Sequence, residues 1–380
     1  MISFARSDQS LLSRWWWTVD RWLILALLTL VSIGLLLTFA ASPAVAERLG
    51  LSSFHFAQRQ FVFLVASVGV MFLLSLVHKK TVRRLAALMF PVFLGLLFAT
   101  IFFGPEIKGA TRWMQFGSFT LQPSEFLKPA FVVITGWMLS EQLKTPTFPG
   151  RKIVLGVFAV VLFGLFLQPD FGQMALISIV FAAQLVAGGL PLLWVVALGG
   201  AGIGSLVLGY FQVPHIQGRI DAFLNPESAD TYQIDAALNA FRSGGLFGLG
   251  PGEGTVKKIL PDAHTDFIFA VAGEEFGILA CLGILLLFTV IVVRGLAHLL
   301  EQEDQFVVLA AGGLIILFGL QALINIGVNL AVIPAKGMTL PFISYGGSSA
   351  LALAITMGMV LALTRRNRHL KTKTIKRGGF

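Results

Sequence analysis

Asp266 stands where a polar, glycine-rich stretch of the chain meets a long apolar one. It lies in the run Leu260-Pro261-Asp262-Ala263-His264-Thr265-Asp266-Phe267, and the residues that follow, to about position 293, are mostly apolar. A carboxylate at this junction lies where water meets hydrocarbon, which is where a lipid-borne substrate presents its polar head. Such a group can accept a proton from a substrate hydroxyl as a general base.

The same acid has a structural explanation. Thr265 is suited to cap a helix that starts here, and an acid in the first turn is favoured by the helix dipole. The sequence leaves this explanation and the catalytic one open. Glu274 lies eight residues further on, about 12 Å deeper at 1.5 Å per residue. That depth favours a structural partner over a reagent.

A second candidate group begins the fourth apolar stretch, at Gln122-Pro123-Ser124-Glu125-Phe126-Leu127-Lys128. Pro123 suits the first turn of a helix, and Glu125 and Lys128 share a face at i, i+3. Ionisable groups at membrane depth cost several kcal/mol unless they are paired or hydrated. The pair is therefore either an ion pair that holds the helix or part of a binding site.

Two further polar motifs lie near the end of the chain. Gln321, Asn325 and Asn329 are four residues apart on one helix face, a spacing that favours interhelical hydrogen bonding over catalysis. The connection 334–349 has prolines at 334 and 341, which predict an irregular backbone. Its Lys336 could bind phosphate or could be an ordinary loop lysine.

The glycine-rich run 248–254 resembles a phosphate loop in composition only. It follows no predicted strand and contains Pro251, so the context for dinucleotide binding is missing. Its glycines instead predict tight turns that bring the backbone close to a ligand or to a neighbouring helix.

Composition places all of these residues in a membrane. Of 380 residues, 56% are hydrophobic and 12% charged, and the mean hydropathy is +0.84, which a soluble fold does not reach. We predict an all-α polytopic protein with ten transmembrane helices of about 20 residues each. They lie near 22–41, 61–77, 85–103, 124–140, 153–168, 171–188, 190–212, 266–293, 305–332 and 343–364.

The single cysteine, Cys281, excludes an intrachain disulfide and a cysteine-based metal site.

Charge predicts the orientation. With both termini cytoplasmic, 18 of the 28 Lys and Arg residues fall on the inner side, as the positive-inside rule requires. The net charge of +9 is thus explained without a nucleic-acid partner. The predicted organisation is a cytoplasmic segment 1–21, a ten-span domain 22–364 and a basic cytoplasmic tail 365–380. One large extracytoplasmic loop, 213–265, joins spans 7 and 8.

Three stretches, Trp113 to Lys128, Gly244 to Gly277 and Asn325 to Ser349, strongly resemble the SEDS proteins (shape, elongation, division and sporulation). The ten-span layout fits that family along nearly the whole chain. Within it, Pro334-Ala335-Lys336-Gly337 resembles the division branch, because elongation proteins tend to have threonine at the lysine position. Ala263, where elongation proteins often have arginine, indicates the same branch.

The resemblance implies a peptidoglycan glycosyltransferase that polymerises lipid II outside the cytoplasmic membrane. The family's catalytic aspartate falls on Asp266, which would take the proton of the acceptor 4-hydroxyl while the anomeric carbon inverts and undecaprenyl pyrophosphate leaves. We expect Lys128, Lys336, Arg112 or a bound Mg²⁺ or Mn²⁺ to offset the pyrophosphate charge, with no organic cofactor. The predicted substrate-binding residues are Glu125, Lys128, Arg112, His264, Lys336, Ser344 and Ser348.

The resemblance also implies partners and a location. We expect a class B penicillin-binding protein, an FtsI-like transpeptidase, and other divisome membrane proteins at the septum of the inner membrane. The outer apolar faces of the eighth and ninth spans are candidate contact surfaces. Three alternatives stay open: a lipid II flippase, an elongation-type polymerase and a division-site scaffold. A flippase needs a polar path through both leaflets, whereas the candidate residues cluster at the outer end.

Overall fold

Helices account for almost all of the regular structure. The computed structural model describes residues 10–106, 110–117, 119–191, 193–194, 196–197, 199–200, 204, 211, 232–334 and 337–365. Within them the α-helices are α1 (Leu11–Thr18), α2 (Arg21–Arg48), α3 (His55–Ser75), α4 (Lys79–Phe103), α5 (Pro123–Lys144), α6 (Gly150–Leu167), α7 (Phe171–Ala187), α8 (Tyr232–Gly244), α9 (Ile268–Leu299), α10 (Gln305–Asn329) and α11 (Gly347–Leu363). A short antiparallel hairpin of β1 (Met114–Phe116) and β2 (Phe119–Leu121) precedes α5.

Six of these helices, α2, α3, α4, α6, α9 and α10, are long and apolar enough to cross a bilayer, and α7 and α11 are shorter apolar helices. The chain is therefore a multi-pass helical membrane protein. Nine of the ten predicted spans coincide with a helix. The seventh, 190–212, falls largely outside the described residues, so the count of ten stays a prediction.

The short helix α1 was not expected from the sequence. Ser10 caps it by accepting a hydrogen bond from the Ser13 amide. Trp15 is buried and donates from Nε1 to the Ser75 hydroxyl at 2.8 Å, at the end of α3. Trp15 is thus part of the helical packing.

Several helix ends that the count of Lys and Arg residues assigned to the cytoplasmic side lie close to one another. Arg294, near the end of α9, donates two hydrogen bonds to Asp20, at 2.6 and 2.9 Å, just before α2. Lys79 pairs with Asp304, and Arg365 donates to the Ser75 carbonyl at 3.4 Å. This grouping agrees with the predicted alternation of helices, while the side facing the cytoplasm stays a prediction.

Helix α9 is interrupted at Gly277, where φ is 76° and ψ is 178°. Only glycine adopts this backbone region readily. The chain after α8 fills the break as if it were a paired strand, through the hydrogen bonds Leu249 N to Glu274 O, Gly250 N to Glu275 O, Ile278 N to Gly245 O and Leu279 N to Leu246 O. Backbone groups at membrane depth need such partners, so the segment 244–250 is an integral part of the bundle.

Two glutamates beside the break fix the following loop. The Glu274 carboxylate accepts hydrogen bonds from the amides of Thr255, Val256 and Lys257 at 2.6 to 3.0 Å. The Lys257 ammonium forms a buried ion pair with Glu275. The expectation that Glu274 is a structural partner is confirmed. Its loop leads directly into the turn that carries Asp266.

A substitution at Gly248 tests how closely the segment 244–250 packs against α9. Gly248 and Gly252 both have positive φ, 82° and 89°, so alanine should strain either one by about 1–2 kcal/mol. At Gly248 a methyl group would also lie 2.2 Å from the Glu275 carbonyl oxygen, whereas at Gly252 no atom lies within 4 Å. We expect Gly248→Ala to lose about 1–3 kcal/mol more stability than Gly252→Ala, measured by thermal unfolding in detergent. Equal losses would contradict the close packing.

Candidate functional site at the mouth of the helical bundle

Asp266 lies in a turn just before α9 rather than in its first helical turn. The helix begins at Ile268, and its N-cap residue, Phe267, makes no side-chain cap. The prediction that Thr265 caps this helix is wrong, because its hydroxyl donates instead to the Asp262 carbonyl at 3.1 Å. A cap is not needed here, since a side chain from α10 supplies a partner for an amide of the first turn.

That partner is one of two buried asparagines on α10. Asn325 and Asn329 each donate from Nδ2 to the Asp266 carbonyl at 2.9 Å. Asn329 also accepts from the Ala270 amide at 3.1 Å, and Asn325 donates to the Met338 carbonyl at 2.6 Å. The predicted interhelical role of this face is confirmed. It joins the Asp266 turn to α10 and to the connection that leads into α11.

The same connection holds the two residues before Asp266. The Tyr345 amide donates to the His264 carbonyl at 2.9 Å. The Ser344 hydroxyl donates to the Thr265 carbonyl at 2.6 Å and accepts from the Leu340 amide at 2.7 Å. Three consecutive carbonyls, 264 to 266, are therefore fixed from outside the turn.

The Asp266 side chain is partly exposed and faces the connection after α10. A methyl group built on Gly337 would lie 3.4 Å from its Oδ2 atom. The backbone at Gly337 thus lies next to the carboxylate. Lys336, the predicted phosphate-binding residue, lies outside the described residues.

His264 is present as a neutral imidazole. Its ring packs against Phe56 and Tyr345, with centroid distances of 4.5 and 5.3 Å. Burial lowers the pKa of His264 to about 4, and the positive charge of Arg48 adds to this shift while Asp262 opposes it. His264 therefore offers no positive charge to a diphosphate near neutral pH. Its predicted contact with substrate would have to be made by the uncharged ring.

Glu125 and Lys128 form the expected ion pair, 2.8 Å apart and almost fully buried. Gln173 on α7 donates to Glu125 at 2.7 Å, and the Lys128 ammonium donates to Gln321 on α10 at 2.9 Å. The Gln321 amide nitrogen donates in turn to Thr339 at 3.2 Å. A polar chain therefore runs from α5 across α10 to the connection that faces Asp266.

Arg112 precedes β1 in the chain, and its side chain contacts the turn between α6 and α7. Its guanidinium donates to the carbonyls of Gln168 and Pro169 and lies 3.9 Å from Asp170. It thus stabilises the tight turn that joins these two helices. Its predicted contact with substrate stays a prediction.

The two predicted serines differ in what they contact. Both hydrogen bonds of Ser344 go to backbone groups, as described above, while Ser348 is buried in the first turn of α11. Within the described part of the chain, no group of three or more His, Cys, Asp and Glu side chains is placed to hold a metal ion. The predicted Mg²⁺ or Mn²⁺ stays a prediction.

Two buried glutamines that contact the site residues were not predicted from the sequence. Gln173 bonds to Glu125, and Gln60 on α3 donates to the Ser344 carbonyl at 3.1 Å and accepts from the Gly346 amide at 3.2 Å. Both are polar residues within or next to apolar stretches. Their position at membrane depth was the signal that could have found them.

These features define a class: a helical membrane protein with a polar site at one end of its bundle. The family of cell cycle proteins that comprises FtsW, RodA and SpoVE matches residues 21–369. The chain belongs to this family.

Individual relatives cover nearly the whole chain. It is 48% identical to a probable peptidoglycan glycosyltransferase FtsW of Caulobacter vibrioides, over 96% of this chain and 94% of that protein. It resembles the crystal structure of the rod shape determining protein RodA of Thermus thermophilus, with a TM-score of 0.68, 26% identity and coverage of 93% and 99%. A chain from a peptidoglycan synthase complex that coordinates polymerization and crosslinking shares the fold, with a TM-score of 0.75, 24% identity and coverage of 91% and 97%.

Breaking the Glu125–Lys128 ion pair should lower the stability of the protein strongly. Lys128→Met leaves the buried Glu125 carboxylate unpaired, which costs about 3–5 kcal/mol. Lys144→Met on the same helix is the matched control, because its i, i+3 pair with Glu141 is exposed and contributes about 0–1 kcal/mol. Thermal unfolding in detergent should show this difference, and Glu125→Gln should restore part of the loss caused by Lys128→Met. Similar losses at positions 128 and 144 would contradict the burial of the pair.

The lowered pKa of His264 predicts a pH dependence of stability. In the unfolded chain the imidazole gains a proton below its ordinary pKa of 6.5, whereas in the folded chain it does so only near 4. The stabilisation that the buried neutral ring provides is fully present above pH 6.5. It is lost as pH falls towards 4, which lowers the free energy of unfolding by up to about 3 kcal/mol.

Melting temperature measured from pH 7 to pH 4 should therefore fall less steeply for His264→Phe than for the original protein. Parallel curves would show that this ring is not buried in its neutral form.

Proposed function

We propose that this protein is a peptidoglycan glycosyltransferase that polymerises lipid II at the division septum, with Asp266 as its general base. The observation that best supports this proposal is the position of Asp266. Its backbone carbonyl is fixed by two buried asparagines, while its carboxylate is partly exposed and faces the connection after α10. A base held rigidly with an accessible side chain is what proton transfer in a transition state needs.

In the proposed reaction a single carboxylate acts as the base. Asp266 accepts the proton of the 4-hydroxyl of the acceptor sugar, and that oxygen attacks the anomeric carbon of the lipid-linked glycan. The new C–O bond forms on the face opposite the bond that breaks, so configuration inverts. The electron pair of the broken bond leaves with undecaprenyl pyrophosphate.

The departing pyrophosphate needs positive charge nearby. Lys128 is already paired with Glu125 and bonded to Gln321, and Arg112 is tied to the α6–α7 turn. Lys336 precedes Gly337, and Gly337 lies against the Asp266 carboxylate. We therefore favour Lys336 for this role. Lys336→Gln should then weaken activity far more than Lys336→Arg.

We also propose a class B penicillin-binding protein as partner, together with other divisome membrane proteins in the inner membrane. The structural relative taken from a peptidoglycan synthase complex supports such an assembly. The outer face of α9 is a suitable contact surface, because Leu279, Leu282, Leu286 and Val293 are each more than half exposed. Charged substitutions there should reduce co-purification with the partner.

Asp266→Asn tests the proposed base with almost no change in shape. We expect purified protein, alone or with its transpeptidase, to make glycan from labelled lipid II, and this variant to lose at least about 10²-fold of that activity. Asp262→Asn is the matched control: the same change four residues earlier, where φ is 54° and asparagine is tolerated.

A fully active Asp266→Asn variant would refute the assignment of the base. Lipid II transfer across vesicle membranes without any polymer formation would favour the flippase. If the original protein shows neither activity and Asp266→Asn leaves division intact in cells, the scaffold is favoured.

A further inference from the structure

One hydrogen bond of a regular helix is replaced by a side chain beside Asp266. In an uninterrupted helix, the Ala270 amide would donate to the Asp266 carbonyl. Here that amide donates to the Phe267 carbonyl at 3.0 Å and to Oδ1 of Asn329 at 3.1 Å. The Asp266 carbonyl accepts from Nδ2 of the same asparagine at 2.9 Å. A single carboxamide thus stands between two groups that a helical turn would join directly.

We infer that Asn329 is the positioning residue for Asp266. By bonding to both groups it stops α9 from starting one residue earlier, at Phe267, and keeps Asp266 in the preceding turn, with its carboxylate towards Gly337. This inference rests on the proposed role of Asp266 as the base. It goes further by naming the side chain that sets the direction of that base.

The site requires an amide at position 329. Asn329 is fully buried, and its oxygen accepts from Ala270 while its nitrogen donates to the Asp266 carbonyl and to the Asn325 carbonyl, the latter at 2.9 Å. Both donor hydrogens and the acceptor are used. Leucine has a similar size but neither donates nor accepts, and an ionised aspartate could not donate.

Loss of the amide leaves an obvious alternative structure. Without Asn329 the Ala270 amide keeps only its bond to the Phe267 carbonyl, and the Asp266 carbonyl keeps only its bond from Asn325. Each has lost one hydrogen bond in a buried place, and the two groups can recover it by forming the missing helical bond with each other. Asp266 would then become the N-cap residue of α9. We expect the backbone change that this requires to turn its carboxylate away from Gly337.

Asn325 makes a different contact. It bonds to the Asp266 carbonyl and to the Met338 carbonyl, so it joins the turn to the neighbouring connection without touching an amide of α9. Its loss should loosen the contact between these two segments. Of these two asparagines, only Asn329 bonds both to the Asp266 carbonyl and to the amide that a helix would join to it.

The test is steady-state glycan synthesis by the purified full-length protein, with its transpeptidase where activity requires it. Asn329→Leu should lower kcat by about 10²-fold, since misplacement of a catalytic group by about 1 Å has such an effect. KM for lipid II should stay within about twofold, because the substrate-binding groups are untouched. Amide hydrogen exchange around Ala270 should be slower or unchanged, as expected for a longer helix, rather than faster.

Gln184→Leu is the matched control. Gln184 is also a buried amide, and its nitrogen bonds to two backbone carbonyls, Val132 at 2.9 Å and Leu309 at 3.0 Å, without contact to Asp266. This variant should lower the melting temperature as much as Asn329→Leu does, yet keep kcat within about twofold. If Asn329→Leu does not fold, Asn329→Ser replaces it with the same expected split between kcat and KM.

The inference is overturned if kcat of the position 329 variants stays within about threefold of the original, or if Gln184→Leu loses as much activity. Asp266→Asn is measured alongside to separate this failure from that of the proposed function. An active Asp266→Asn variant refutes the proposed base itself. An inactive Asp266→Asn variant with a fully active Asn329→Leu variant refutes only the positioning role.

Discussion

The hydrogen bonds from Asn325 and Asn329 to the Asp266 carbonyl are the interaction on which the mouth of the bundle depends. Backbone groups near the membrane must find partners inside the protein, and these two amides supply them at the point where α9 begins. Because both lie on one face of α10, they place the Asp266 turn, the start of α9 and the connection into α11 around one helix. Interhelical hydrogen bonds in membranes contribute little each, about 0.6 kcal/mol on average. Their main effect here is on geometry.

Buried charge serves the same purpose at two other places. Glu125 and Lys128 join α5 to α7 and α10 through Gln173 and Gln321, and Lys257 with Glu275 fixes the loop that leads to Asp266. Buried ion pairs are weak sources of stability compared with apolar packing. Their value lies in the single arrangement they permit, since moving either partner leaves a charge unpaired. The polar mouth and the glycine-rich loop are thereby held in a fixed relation to the helices.

Local patterns predicted the parts of this site that depend on spacing along one helix. The four-residue spacing of Gln321, Asn325 and Asn329 predicted an interhelical face, and the i, i+3 spacing of Glu125 and Lys128 predicted their pairing. The break at Gly277 and the absence of a Thr265 cap could not be predicted, because both depend on partners that are distant in sequence. The loop after α8 supplies the backbone bonds at the break, and Asn329 supplies the partner of Ala270. Helix α2 likewise runs past its predicted end at 41 to Arg48, whose side chain donates to the distant Leu260 carbonyl.

We propose that the fixed turn aims the Asp266 carboxylate at the sugar that is to be extended. The sharpest test is a structure of the protein in a lipid environment with a bound, unreactive lipid II analogue. We expect the acceptor 4-hydroxyl within hydrogen-bonding distance of Asp266, about 2.6–3.2 Å, with the Asn325 and Asn329 bonds unchanged. A bound acceptor whose 4-hydroxyl lies against a different side chain, with Asp266 turned away from it, would refute this role of the turn.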